Sequence, residues 1–563
     1  MALIQKAFSD IVTFSRSSNA TRVGPTGLVE YAPHNLIQRS QEFDNAYWTA
    51  VDASITANAI AAPDGTVTAD KLIASAASSS GHRVAGPCGN PSATWTVSIY
   101  AKAGEYNRLL MATSNTGFIG FNLSTGAVEG SIGVFITHYG ITPVGNGWYR
   151  CYFGSNSTSA GTNLGIYPFN TTFTGASTTF TGDGTSGIYI WGAQSSQGPY
   201  PLDYTPTTSA AVYGPRFDFD PVTLAARGLL VEEQRVNVYT YSEQFDNVAW
   251  TKGGSSITAN AGTAPDGTVT ADKIVEDSGT TAHVAYQTPT VSAVAYTLSV
   301  FAKAAERTQL ALDFTGGSNN AIFNLSAGTV VSSTGSGLTA AIQDFGNGWY
   351  RCSITQTQSA GTIFPSIGPA SGGNRIYTGN GTSGIFIWGA QLEAGSFATS
   401  YIPTVASTVT RSADVASVNT LSPWYNQTEG SIFAEASGPL SGTDRIIVEG
   451  GTASDFRDFS LNFANLNAQF TPRYATGTFD VTSPNLTANS TAKLAASYSA
   501  TSADLAYNGL LATTKTSVTQ RIPADRIFLG SRFNSSLVLN GHIRRLAYYP
   551  RRLTNAELQA LTA

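Results

Sequence analysis

Apolar and polar side chains alternate with a period of two along most of this chain. Trp95–Ala103 reads WTVSIYAKA and Tyr296–Ala304 reads YTLSVFAKA, with β-branched and aromatic residues at every other position. That period belongs to strands that press one face into a core. GIYIWGAQ at Gly187–Gln194 and GIFIWGAQ at Gly384–Gln391 predict further short strands, each entered from a Gly-rich turn. APDG, at Ala62–Gly65 and again at Ala264–Gly267, predicts a tight turn in which Pro sets φ and Gly can take positive φ. About eight to ten such strands in roughly 170 residues, with no credible helix, predict an antiparallel β-sandwich of jelly-roll type.

The strands come in two copies. NLIQRSQEFDNAYWT at Asn35–Thr49 is answered by NVYTYSEQFDNVAWT at Asn237–Thr251. APDGTVTADK, FNLS, GNGWYRC and GTSGI(Y/F)IWGAQ each recur in the same order, and both copies close on Tyr-X-Pro-Thr, at Tyr204–Thr207 and Tyr401–Thr404. A period of about 200 residues is too long for a solenoid and fits two whole domains. Ahead of the first copy, Val12–Tyr31 predicts two short strands around a Gly-Pro turn; between the copies, Pro215–Asn237 predicts a turn at Asp218–Pro221 and a strand at Gly228–Val231. Beyond Asp414 a second kind of sandwich is expected. Its strands are Ser431–Ala436, Arg445–Val448, Ser460–Phe463, Lys493–Ser499, Leu505–Asn508, Arg526–Leu529 and Gly541–Tyr549. Thr554 and Glu557 form a T-x-x-E capping box, which predicts one terminal helix over Asn555–Leu561.

Composition agrees with this pattern. Charged residues are 12% of the 563, so Ser, Thr, Asn and the 56 glycines supply the polarity, as short strands and tight turns require. Net charge is −5 and no basic run stands out beyond Arg544-Arg545 and Arg551-Arg552, which argues against a nucleic-acid partner. No apolar stretch reaches membrane-spanning length, and Asp10 interrupts what a signal peptide would keep apolar, so no membrane insertion is expected. Cys88, Cys151 and Cys352 read as small buried residues, two of them at one repeat position.

Several strings resemble a known family. PRFDFDPVTLAARGLLVEEQRVN at Pro215–Asn237 resembles a linker of structural proteins in tailed bacteriophages. There it precedes modules with the Asn-Leu…Ser-Glu-X-Phe…Trp opening, APDGTVTADK, GNGWYR, IWGAQLE and SYIPT, modules similar to carbohydrate-binding jelly rolls of tail fibres and head spikes. LNGHIRRLAYYPRRLTNAELQALT at Leu539–Thr562 resembles the end of a concanavalin A-like, laminin-G-like lectin domain. The resemblance implies an all-β chain of tandem jelly-roll β-sandwiches plus a C-terminal concanavalin A-like β-sandwich. Its divisions would be a virion-attachment segment at 1–34, jelly rolls at 35–208 and 237–412 around a linker at 209–236, and a lectin domain at 413–563. It further implies a homotrimeric fibre or spike on the virion surface, tail or capsid, that joins other virion proteins through its N-terminus and adheres to a host surface polysaccharide or glycan.

Tryptophans repeated at equivalent strand positions are better explained as core than as sugar platforms. Sugar contacts are expected where the copies diverge, in Gly133–Thr142 and Leu164–Phe173, which nominates Phe135, His138, Tyr139, Tyr167 and Phe169. In the lectin-like domain Asp444, Asp455, Arg457, Asp458, Arg473 and Tyr474 fall in expected loops and are further glycan-binding candidates. Polar and aromatic side chains ringing one sandwich edge are the usual shape of a lectin site, although solvated loop charge is the commoner role. No cofactor is expected other than a weakly supported structural Ca²⁺ near Asp44 and Asp246; Asp64 and Asp266 are more simply Asx-turn residues. The five histidines have no ligand spacing, so no metal site is assigned. No Glu-X-Asp-X-X-Glu run, Gly-X-Ser-X-Gly elbow or P-loop is present, so the chain is expected not to be an enzyme. A purely structural virion connector and an exopolysaccharide depolymerase with its acids on separate strands remain the alternatives.

Overall fold

The computed structural model describes residues 8–78, 81–89, 94–113, 117–133, 136–155, 163–175, 178–439, 444–452, 456–465, 467–474, 477–478, 481–483, 486–487, 490–512, 514–516 and 524–563. The chain is all-β, with antiparallel sheets and, among the described residues, two helices, Phe8–Ile11 and Asn555–Thr562. The second helix carries both bonds of its capping box: Glu557 N–H donates to Thr554 Oγ1 at 3.3 Å and Thr554 N–H to Glu557 Oε2 at 2.7 Å. Two compact units form, Tyr31–Gly214 and the combination of Met1–Glu30 with Pro215–Ala563.

The smaller unit is a jelly roll of two six-stranded sheets. One runs Ala127–Ile132, Gly117–Asn122, Arg108–Thr113, Asn163–Phe169, Arg83–Pro87 and Thr49–Val51; the other runs His138–Gly145, Trp148–Ser155, Trp95–Ala103, Gly187–Gln197, Ala69–Ala74 and Ala53–Ile60. The second copy repeats the plan. Its strand orders are Thr251–Gly253, Val284–Tyr286, Ser366–Ala370, Gln309–Asp313, Asn320–Asn324, Thr329–Thr334, and Ser255–Gly262, Ala271–Glu276, Gly384–Ala394, Ala295–Ala304, Trp349–Thr357, Thr339–Asp344. Trp48, Trp148 and Trp191, their partners Trp250, Trp349 and Trp388, and Trp95, whose counterpart is Tyr296, are all core, no tryptophan among them above 5% exposed. The three cysteines are buried free thiols.

Each repeat opens on an asparagine for a structural reason. Asn35 is fully buried; its Nδ2 donates to the carbonyls of Ala193 and Thr205 at 2.9 and 3.0 Å, and its Oδ1 accepts from Ile37 and Ser195 N–H. Asn237 does the same with Ala390, Ile402, Tyr239 and Leu392. A side chain with two donors and an acceptor that takes two bonds staples the entering strand to the longest strand of the sheet. Beside these residues, His34–Asn35 pairs with Val212–Tyr213 and Arg235–Asn237 with Val409–Arg411, so the chain enters and leaves each jelly roll at one place.

The segments read from sequence as an attachment arm and a linker supply strands to the C-terminal sandwich. Thr13–Ser15 pairs antiparallel with Val415–Val418, at the edge of an eight-stranded sheet that continues through Arg526–Leu529, Arg445–Gly451, Phe456–Ala464 and Asn467–Tyr474. The hairpin Arg216–Phe219 and Ala226–Val231 adds to Gly541–Tyr549 in the facing sheet, with Leu229 opposite Ile543 and Val231 opposite Gly541. In connectivity, therefore, both jelly rolls are insertions into one sandwich.

Five buried charges lie where the chain returns from those insertions. Asp414 accepts from Arg16 Nη1 at 2.9 Å and from Arg216 Nη2, while Glu232 Oε2 receives Arg216 Nη1 at 2.6 Å and Arg411 Nη1 at 2.8 Å. Truncation of one partner in a buried ion pair leaves an uncompensated charge and costs about 3–5 kcal/mol. Asp414→Ala is therefore expected to destabilise the larger unit by about that amount, read as a lower denaturant midpoint. An unchanged midpoint would show that the network contributes nothing.

Candidate binding cleft

Within the larger unit the second jelly roll and the C-terminal sandwich enclose a cleft of about 840 Å³. One wall is the outward face of two neighbouring strands. Thr339 pairs with Thr355, Ala341 with Ser353 and Gln343 with Arg351, while the intervening Ala340 and Ile342 turn inward to the jelly-roll core. Strand alternation thus delivers a row of hydroxyls, an amide and a guanidinium to the cleft, and Thr339, Ala341 and Gln343 are exposed. The opposite wall comes from the hairpin at 216–231 and the strand Gly541–Tyr549, with Asp218, Asp220, Arg227, His542 and Arg544. Thr21–Val23 closes one side through Arg22.

The acidic groups of the cleft are already engaged. Asp218 accepts from Val23 N–H at 2.7 Å through Oδ1 and lies 2.7 Å from His542 Nε2 through Oδ2. Asp220 accepts from Arg227 Nη2 at 2.7 Å and from the amides of Val222 and Thr223. Burial works against the charge of Asp220, but these bonds overcome it and hold the carboxyl well below the usual range. Glu232, though buried, is also held low by Arg411 and Arg216. By contrast, Thr339 and Gln343 on the jelly-roll wall are exposed, whereas Thr355 is engaged by Thr297 Oγ1 at 2.7 Å. Arg351, whose Nη1 donates to Thr399 O at 2.6 Å, stacks over Phe301 at 5.3 Å, and Phe397 is flanked by Arg235 and Arg445 at 5.0 and 5.1 Å. The rings are thus covered by guanidinium groups, and the exposed hydroxyl and amide of Thr339 and Gln343 are what the hydroxyl rim of a sugar can bond.

The residues nominated from sequence are not brought together. Phe135 and Asp455 lie outside the described residues, as do the side chains of Arg457, Asp458, Arg473 and Tyr474. His138 and Tyr139 lie on the edge strand His138–Gly145 and so point to opposite faces. His138 Nε2 is 2.9 Å from Thr96 Oγ1, and burial lowers its pKa; Tyr139 is 49% exposed. Tyr167 and Phe169 are not loop residues. They occupy the strand Asn163–Phe169, 9% and 4% exposed, packed with Leu110, Ala112 and Phe173 where Phe173 and Phe180 cover the outer face of the sheet. Asp444 is exposed, directly before the strand Arg445–Gly451. The cleft itself was missed because its walls come from segments far apart in the chain. The one local signal was the run of acidic residues around Asp218–Asp220.

The aspartates weighed for calcium have simpler roles. Asp64 Oδ1 accepts from Thr66 N–H and Asp266 Oδ1 from Thr268 N–H, both at 2.9 Å, which are Asx turns. Asp44 and Asp246 are exposed. No group of three or more His, Cys, Asp or Glu side chains placed to hold a metal ion occurs among the described residues.

These features define a class, an all-β protein of tandem jelly rolls joined to a larger sandwich. No family model matches the chain, and no curated protein does. Among solved structures it is similar to the CBM40 domain of the Ruminococcus gnavus IT-sialidase bound to alpha2,3 sialyllactose, at 18% identity over 24% of this chain and 84% of that one, with a TM-score of 0.23. It is similar also to the SAP-like pentraxin of Limulus polyphemus, at 12% identity over 26% and 79% with a TM-score of 0.21. The receptor-binding domain of botulinum neurotoxin type G gives 10% identity over 26% and 39%, with a TM-score of 0.22. Likenesses of this size carry no functional weight.

One titratable group lies under the cleft floor. Tyr401, which lines the cleft, donates to Glu243 Oε1 at 2.9 Å. Loss of water, with the neighbouring carboxylates of Asp266 and Asp272, pushes Glu243 up to about 8 from 4.5. The first copy has a neutral amide, Gln41, at the equivalent position. A raised carboxyl pKa means that the folded state binds the extra proton, so stability is greatest below 4.5 and falls as pH rises toward about 8. Glu243→Gln is expected to flatten that decline, measured as thermal midpoints at about pH 5 and about pH 9. An equal pH dependence in the variant would place the titration elsewhere.

Proposed function

We propose that this chain is an adhesin of a tailed-bacteriophage virion, a tail fibre or head spike, that holds host cell-surface glycan in the cleft between its second jelly roll and C-terminal sandwich. The observation that carries the binding part of this reading is the cleft wall of Thr339, Gln343, Ser353 and Thr355, polar groups that line a volume of about 840 Å³. That volume is within the range of small-molecule and oligosaccharide sites. The virion placement, the homotrimer and the attachment to other virion proteins through the N-terminus rest on the resemblance of Pro215–Asn237 and Leu539–Thr562 to phage fibre and spike strings. Three copies of a weak site would bind a repeating polymer with strong avidity.

Adhesion rather than cleavage is the activity we assign. Hydrolysis of a glycosidic bond needs one carboxyl held protonated as an acid beside a second that is free. The cleft carboxylates Asp218, Asp220 and Glu232 are each engaged by an imidazole or a guanidinium. The test is binding of the purified full chain to a panel of bacterial cells and their extracted surface polysaccharides, with polymer length followed throughout. Saturable binding without shortening is expected, and Gln343→Ala with Arg544→Ala should weaken it about tenfold, some 1.4 kcal/mol. Shortened polymer would replace adhesion with depolymerisation. Absence of binding across the panel would leave a structural component of the virion.

A further inference from the structure

The two copies fill the outer face of one sheet in opposite ways. In the first copy Leu110, Ala112, Tyr167, Phe169 and Phe173 make a sealed apolar layer. In the second, the strand register puts Ala311 at the place of Leu110, Asp313 at that of Ala112, Gly368 at that of Tyr167 and Ala370 at that of Phe169. Ion pairs replace the lost aromatics. Glu276 accepts from Arg307 Nε at 2.7 Å and Nη2 at 2.5 Å, and from Tyr377 Oη at 2.6 Å, where the first copy has Ala74, Tyr106 and Phe180. Asp313, 1% exposed, faces Arg375 Nη2 at 3.2 Å.

Above this lattice the second copy displays an aromatic ring. Phe364 is 51% exposed although the flanking Ile363 and Pro365 are buried. Its backbone is held beside the loop at 313–320: Phe364 N–H donates to Phe314 O at 3.3 Å, and Phe364 bridges Thr315. That loop is open at its tip, since nothing lies within 4 Å of where a Cβ on Gly316 would stand, and φ there is +76°. Arg375 borders the opening, donating through Nη1 to Gly316 O at 3.2 Å, and Asn319 is fixed by Thr315 Oγ1 at 2.8 Å and Gln356 Nε2 at 2.9 Å. An exposed ring whose backbone is bridged to Thr315, on the loop where Arg375 bonds Gly316 and Asn319 bonds Thr315, gathers an apolar face, a guanidinium and an amide that can stack the C–H face of a sugar and bond its hydroxyls.

We propose that the second jelly roll carries a saccharide subsite of its own on Phe364, Gly316, Asn319 and Arg375, and that it takes a neutral pyranose. Neutrality follows from Asp313, which already balances the charge of Arg375. This inference rests on the glycan-binding reading but uses a site separate from the cleft. The first copy has no equivalent, because Ala112 stands at the position of Asp313 and Thr178 at that of Arg375.

Saturation-transfer NMR on the full chain tests it, with the methyl glycosides of glucose, galactose and mannose, N-acetylglucosamine, and N-acetylneuraminic acid as the charged probe. At least one neutral sugar is expected to receive saturation at its ring protons. With the cleft weakened by Gln343→Ala and Arg544→Ala, Phe364→Ala should abolish the transfer and Phe364→Trp should keep it, since the ring is exposed and neither change disturbs the core. The Gln343→Ala, Arg544→Ala chain should retain it. Silence from all four neutral sugars, a signal unchanged when Phe364→Ala is added to that chain, or transfer to N-acetylneuraminic acid alone would each overturn the proposal. Loss with the cleft variant but not with Phe364→Ala would assign the sugar to the cleft and leave the adhesin reading standing without this subsite.

Discussion

The larger unit depends on one buried electrostatic knot. Arg16, Arg216 and Arg411 converge on Asp414 and Glu232, and no side chain among the five is more than 7% exposed. Moving such ions out of water costs several kcal/mol each, which is recovered only when every partner is in place. Burial, helped by the like charges of Arg216 and Arg411, pulls Arg16 down to about 10 against the attraction of Asp414, while Asp414 and Glu232 hold Arg216 above its ordinary value. The arrangement is therefore better suited to specifying one geometry than to adding net stability. What it specifies is the crossing point of the chain. Arg16 follows the first sandwich strand, Arg216 begins the hairpin and Glu232 follows it; Arg411 ends the second clasp, and Asp414 precedes the strand that pairs with the first.

That placement has consequences for assembly. Arg16 and Asp414 are separated by 398 residues, and Arg216 and Asp414 by 198. Closing loops of that length in an unfolded chain carries a large entropy cost, although the cost grows only slowly with length. Folded jelly rolls shorten the effective loops, because the clasps at His34–Asn35 and Arg235–Asn237 bring each module's ends together. Asn35 and Asn237 secure those clasps with four hydrogen bonds apiece. The repeated asparagine and the charged knot are two stages of one solution, closing each insertion locally and then joining the stumps.

What was legible in the sequence was local. Alternation in Trp95–Ala103 and Tyr296–Ala304, the Asx turns of APDGT and the capping box at Thr554 each depend on residues within a few positions of one another. The nesting was not legible, because nothing in Thr13–Ser15 names Val415–Val418 as its partner. Tyr167 and Phe169 were misplaced for a different reason. A mixed aromatic and polar run reads as a loop if one sheet face is assumed to meet water, and here Phe173 and Phe180 cover that face and bury it. The cleft was invisible for the same reason as the nesting: Gln343 and His542 lie on one cavity only after distant strands have met.

Divergence between the copies therefore needs a physical reading before it is taken as a sign of function. Aromatics present only in the first copy fill a space that the second copy fills with Glu276, Arg307, Tyr377, Asp313 and Arg375. An apolar filling seals a face, whereas a charged filling is directional and leaves oriented donors at its rim. Equal burial beneath the surface can thus give unequal chemistry on it. A duplicated domain can keep its core plan, its entry asparagine and most of its tryptophans and still differentiate, because the outer face of one sheet is free of those constraints. On that argument the copy with fewer aromatics in the layer is the one better equipped to present a single ring, Phe364, to a ligand.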